Sequence, residues 1–237
     1  MQRLGILLIA VCIACKPASQ QSTKPAAAAG PAVRATVITV RTTLQPQKRT
    51  IEQSIVVAGD LARDTTERDT WRLYDTKAQT VTFIDDVDRT IRTESFANLR
   101  RQRSVTMAAQ VAAFHPRPVL KRGETKAMQG ATARQWVITA GAYKRELWMA
   151  EHPSIPRGLF AMMQASERVS SPLAPIMREV EAALLDEKGF PLLDRSEIPL
   201  GSAPAIVERT VVAIAQKDVP QSLVTVPKGY RDRTPKK

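Results

Sequence analysis

The sequence predicts an α+β domain, mainly antiparallel β-sheet with some helix, and three observations lead there. Segments such as "VRATVITV" and "TIEQSIVVAG" are rich in Val, Ile and Thr, the residues that suit a pleated, half-buried surface. Such segments follow one another across short polar or glycine turns, near Asp75-Thr76-Lys77, at Asp85-Asp86, and at Gly130 and Gly141. Two stretches switch instead to helical spacing. One is residues 95–114, with Phe96, Leu99, Met107, Val111 and Phe114 on a stripe that Arg103 interrupts. The other is Leu173, Ile176, Met177, Val180 and Leu184, opened by Ser171-Pro172 and stopped by Gly189.

The chain opens differently. Residues 1–14 hold one positive charge, Arg3, and then the apolar run "LGILLIAVCIA". That run is far shorter than the roughly 20 residues that span a bilayer, and it has the layout of a cleaved signal segment. Cys12 and Cys15, the only cysteines, stand at a two-residue spacing that a thiol redox pair also uses. A redox pair needs a folded setting that lowers one thiol's pKa, and cleavage before Cys15 would remove Cys12 altogether. Ala14-Cys15 instead resembles the lipobox of bacterial lipoproteins, in which the cysteine receives diacylglycerol and becomes the first residue. The pattern's usual Leu, three positions before the cysteine, is Cys12 here. Cys12 is the poorer acceptor, because Val11 before it is bulky for the peptidase. A mature chain starting at Cys15 has no disulfide and depends on its core.

Residues 15–33 then form a lipidated cysteine and a Pro/Ala/Ser/Gln tether. As a flexible coil it spans on the order of 20–25 Å, enough to hold a domain just off a membrane. The remaining residues, 34–237, read as a single domain. After the two opening strands, "TWRLYDTKAQTVTFIDDVDRTIRTES" reads as successive strands. "RPVLKRGETKAMQG", "ATARQWVITA" and "KRELWMAEH" read as an antiparallel series. "FPLLDRSEIPL" and "APAIVERTVVAIAQ" close the sheet, and the tail "VPQSLVTVPKGYRDRTPKK" reads as mostly irregular.

Of 237 residues, 35 are Lys or Arg and 23 are Asp or Glu, a net charge of +12. The signal segment, implying secretion, argues strongly against nucleic-acid binding as the reason. An anionic lipid surface, attracting each nearby Lys or Arg by about 1 kcal/mol, and plain solubility both account for it. No run of five basic residues marks a patch.

Three stretches together resemble a known family. They are "RLYDTKAQTVTFIDDVDRTIRTES", "ETKAMQGATARQWVITAG" with the following "KRELWMAE", and the ending "DVPQSLVTVPKGYR". In order and spacing they are similar to the lipoprotein-carrier-like (LolA/LolB-like) half-barrel proteins of bacteria. Two positions depart from that family's pattern, Ala133 for a Cys and Val224 for a Phe. The resemblance implies a strongly curved antiparallel sheet, a half-barrel, wrapped around helices. Its best-known members enclose acyl chains, and many have no known activity, so the fold alone does not carry function.

No catalytic constellation presents itself. His115 and His152 both stand beside prolines in loops, and no Ser-His-Asp or Cys-His order is present. "DDVD" at Asp85, Asp86 and Asp88 clusters oxygen donors but lacks the glycine and distant glutamate of a calcium loop, so it reads as a hairpin turn. "LRRQR" at 99–103 reads as a solvated helix face or a headgroup contact. Leu159, Phe160, Met162 and Met163 form a candidate ligand-binding element. Thioethers adapt to irregular apolar guests, and the breaker-rich segments on either side leave few local constraints.

The expectation is a non-catalytic envelope lipoprotein that holds an acyl chain or another hydrophobic segment on the concave face of its sheet. It needs no cofactor and no metal. It meets the membrane through Cys15 and binds no nucleic acid. Lys16, where Asp commonly retains a lipoprotein in the inner membrane, places it in the outer membrane facing the periplasm. One alternative is a structural or partner-binding lipoprotein whose cavity its own helix fills. Another is an envelope hydrolase, for which a nucleophile, a base and an orienting third group would be needed.

Overall fold

The computed structural model describes residues 30–64, 69–101, 119–166, 189–200 and 203–235. The signal segment, Cys15, nearly all of the tether, His115 and the stripe from Leu173 to Leu184 lie outside them.

The twelve strands among the described residues belong to one open sheet. They are β1 (Ala32–Gln45), β2 (Arg49–Ala58), β3 (Leu61–Asp64), β4 (Thr70–Asp75), β5 (Thr80–Asp85), β6 (Thr90–Ser95), β7 (Val119–Met128), β8 (Ala131–Ala140), β9 (Tyr143–Ala150), β10 (Phe190–Leu200), β11 (Ala203–Pro220) and β12 (Arg231–Asp232). Their order is β12-β6-β5-β4-β3-β2-β1-β11-β10-β9-β8-β7. Every pair is antiparallel except β12 with β6. Two meanders, β1 to β6 and β7 to β11, are joined where β1 lies along β11, from Ala32 opposite Pro220 to Gln45 opposite Ile206.

The expectation of an α+β fold, a half-barrel wrapped around helices, is overturned. The described residues are mostly β, and helix is confined to two short segments: α1, residues 96–101, and α2 (Leu159–Ser166). The strands are also longer than their apolar patterns suggest, because β-pairing carries polar stretches along. β1 continues through "RTTLQ", and β11 runs 18 residues. The tail is not wholly irregular, since it adds a 3-10 turn, Gln221–Val224, and β12.

Local chemistry fixes the turns. Gln129 and Gly130, at φ 49° and 76°, close the two-residue β7–β8 hairpin with the left-handed pair that matches strand twist. The β4–β5 and β5–β6 loops repeat one design. Asp75 Oδ1 accepts from the amides of Lys77 and Ala78, and Asp85 Oδ1 accepts from those of Val87 and Asp88. Each loop ends on a left-handed residue, Gln79 or Arg89. The other aspartates of "DDVD" also have protein partners. Asp86 accepts from Trp71 Nε1 and Tyr230 Oη, and Asp88 pairs with Arg233.

The sheet bends sharply. β4 and β9 are six strand steps apart, which a flat sheet would hold at about 29 Å. Yet α2, about 12 Å long, touches both. Its Ser166 Oγ lies 3.0 Å from Tyr74 Oη on β4, and its Gln164 Oε1 lies 3.2 Å from Arg145 on β9. The main core fills the concave side, with Ile38, Tyr74, Val81, Ile138, Leu147, Leu159, Met162 and Leu192 nearly inaccessible. Trp71, Leu73 and Ile84 point to the other side, where Val224 covers them in a second, smaller core.

Candidate functional site

The site lies where α2 crosses the concave face. Alternation along β9 puts Tyr143, Arg145, Leu147 and Met149 on that face. On β10 it puts Asp194 there, in register with Arg209 of β11. Arg145, only 1% exposed, donates from Nε to Asp194 Oδ1 and from Nη2 to Oδ2, both at 2.8 Å. Two parallel charge-assisted bonds of this kind fix the orientation of both groups. Nη1 and Nη2 of Arg145 also donate to Gln164 Oε1 of α2. Arg209 Nη1 stands 3.8 Å from Asp194 Oδ2. Burial alone would push the Asp194 carboxyl up. The charge and hydrogen bonds of Arg145, with the charge of Arg209 beyond, outweigh burial and hold it below the usual carboxylate range.

A second clasp holds the end of α2. Ser166 Oγ donates to Met163 O, so Tyr74 Oη supplies the proton between Tyr74 and Ser166. Burial, reinforced by Asp64, pushes the Tyr74 hydroxyl well up, so it stays a donor.

Between the clasps lies a cavity of about 90 Å³. Phe160, Met163, Val40, Ile55 and Val211 give it apolar walls, and Gln53, Asp64, Gln164, Asp194 and Arg209 a polar side. Its volume suits about three waters, well under the roughly 300–1,000 Å³ of most ligand pockets.

The four residues singled out by sequence all fall on α2, with different surroundings. Leu159 and Met162 are fully buried in the main core. Phe160 lines the cavity and meets Phe190 edge-to-face at 6.4 Å. Met163 lines the cavity and is half-buried. His152 lies outside the cavity, and its Nδ1 accepts from the Ser154 amide. Sequence reasoning missed Arg145, Asp194, Gln164 and Ser166. The signal for Arg145 was its place in alternation between Tyr143 and Leu147.

No family profile matches the chain, and no curated protein does. Among solved structures, PNGF-II in two crystal forms gives TM-scores of 0.47 and 0.46 at 11% identity. Those alignments cover 86% of this chain and 31% and 32% of the other, so this chain spans about a third of PNGF-II. An outer membrane lipoprotein-sorting protein domain from Vibrio parahaemolyticus gives a TM-score of 0.27 at 10% identity, over 77% of this chain and 85% of that one. At these TM-scores the chemistry of the chain has to be read from its own residues.

Proposed function

We propose that the protein is a non-catalytic, lipid-anchored envelope protein that holds a hydrophobic group, an acyl chain of a lipid or lipoprotein, between α2 and the concave face of its sheet. One observation supports this most directly. Phe160 and Met163 of α2 face Val40, Ile55 and Val211 across a small hollow within the core. A guest of any length must shift α2, which begins just after Gly158, a left-handed residue at φ 82°. Each buried methylene contributes about 0.8 kcal/mol, so a long chain offsets that rearrangement and the cost of association. The titratable groups that line the hollow are engaged in ion pairs: Asp194 with Arg145 and Arg209, and Asp64 with Arg72.

The full chain carrying Cys15→Ser, purified without detergent, is expected to retain lipid by mass spectrometry and to bind a fluorescent fatty acid saturably. Met163→Asp should weaken that binding at least tenfold while moving the melting temperature by only a few degrees. Neither bound lipid nor saturable binding would sink the reading. The structural alternative, a hollow filled by the protein's own helix, would then stand. It is favoured by Leu159 and Met162, both at 0% exposure.

Anchoring has a separate test. Cys15→Ser should abolish lipid labelling, and persistent labelling would refute the lipobox. Fractionation should place the native protein in the outer membrane, as Lys16 implies.

A further inference from the structure

The hollow under α2 is not the only one on the concave side. A groove of about 660 Å³ opens beside the β7–β8 hairpin, a size that suits a small-molecule ligand. Its wall includes Met149, buried, and Trp136, 2% exposed. The Trp136 indole Nε1–H is buried and has no hydrogen-bond acceptor among the described residues. A buried donor without an acceptor is costly, so a small shift of the groove wall that brings Nε1 within reach of a guest's acceptor is favoured.

Most of the other polar groups around the groove can also donate. Arg134 lines it, is exposed, and has no ion pair among the described residues. His152 lines it too. Its Nδ1 already accepts from Ser154, which leaves the proton of the neutral ring on Nε2, a second donor. Thr125 and Thr132 add hydroxyls. Glu151, the one carboxylate among the described residues lining the groove, pairs at the surface with Arg157 at 2.9 Å. Donors outnumber acceptors, and Arg134 supplies a cation without an ion pair among the described residues, a balance that suits an oxyanion.

Apolar continuity runs from here to α2. Met149 of the groove is in register with Pro191, and Pro191 lines the hollow under α2. We propose that the groove binds the oxyanion head, carboxylate or phosphate, of an amphiphile whose chain passes over Met149 toward α2. This rests on the hydrophobic-ligand reading above and adds the ligand's head chemistry and its site.

The test titrates the full chain carrying Cys15→Ser with dodecanoic acid, dodecyl phosphate and dodecanol, each below its micellar concentration. At least one oxyanion should bind about tenfold or more tighter than dodecanol, and the tighter of the two identifies a carboxylate or a phosphate source. Arg134→Gln should remove most of that preference and leave dodecanol binding within about twofold. Trp136→Phe should act likewise, and thermal unfolding checks that both variants stay folded. Equal binding of all three compounds overturns the oxyanion site and leaves the hydrophobic-ligand reading standing. An oxyanion preference that survives both substitutions overturns this placement. Binding of none of the three overturns both readings.

Discussion

Asp194→Ala is expected to cost the domain about 3–5 kcal/mol, because it leaves the Arg145 guanidinium buried without its counter-charge. Arg145 is 1% exposed and Asp194 6%. Neither group can turn to water, so solvent screening does not soften the loss. Against a total stability of about 5–15 kcal/mol, that is enough to shift the urea midpoint severely or to unfold the chain. Replacing the whole pair tells a different story. Arg145→Met with Asp194→Leu removes both charges together, and such exchanges are often neutral or stabilising by about 1–4 kcal/mol. The double variant should therefore be clearly more stable than Asp194→Ala. A shift under about 1 kcal/mol for Asp194→Ala would show that the pair is solvated in solution.

The same pair sets an acid limit. The folded-state pKa of Asp194 lies below its unfolded value, so the folded state binds fewer protons and stability rises with pH through that window. The contribution is fully present above the unfolded carboxylate value of about 3.9 and is lost as pH falls through the folded value. Wild type should therefore weaken in acid more steeply than the Arg145→Met, Asp194→Leu variant.

What could be read from sequence followed what each residue's local pattern encodes. β2 was legible almost to the residue, because "TIEQSIVVAG" carries β-branched residues throughout. The turns at Asp75 and Asp85 were legible because the aspartate side chain itself caps the loop. The α+β expectation failed because polar stretches such as "RTTLQ" in β1 also pair into the sheet, so strand takes up most of the described residues. Within the described residues, helix meets the concave-side core only through the eight residues of α2 and through Phe96 and Leu99 of α1. β3, "LARD", carries little apolar signal, and its place is fixed by neighbours on both sides. The buried polar clasps were hidden for a related reason. Arg, Asp, Gln and Ser are ordinarily surface residues, and their burial here depends on partners 19 to 92 positions away. β12 is the extreme case. Its two residues pair with Thr90 and Ile91, a contact that nothing near Arg231 announces.

That distant pairing makes the C-terminal arm the second large expected effect. After β11 the chain crosses the convex side. The Gln221 amide bonds Pro31 O, Val224 enters the small core, and the Arg231 and Arg233 amides bond Arg89 O and Ile91 O along β6. Thr234 Oγ1 accepts from the Thr93 amide. Deleting residues 221–237 removes Val224, 2% exposed, whose burial is worth about 1.5–3 kcal/mol. It also uncovers parts of Trp71, Leu73 and Ile84, so the total loss should reach about 4 kcal/mol. The deletion takes away the Tyr230 bond to Asp86, and it frees the β6 edge for pairing with another chain. The truncated protein should show a markedly lower urea midpoint and concentration-dependent aggregation, while Val224→Asp should lower the midpoint with β12 still in place. An unchanged midpoint in both would mean that the arm merely rests on the sheet. Loss in the deletion alone would instead assign the stability to the β6 edge, since only the deletion exposes it.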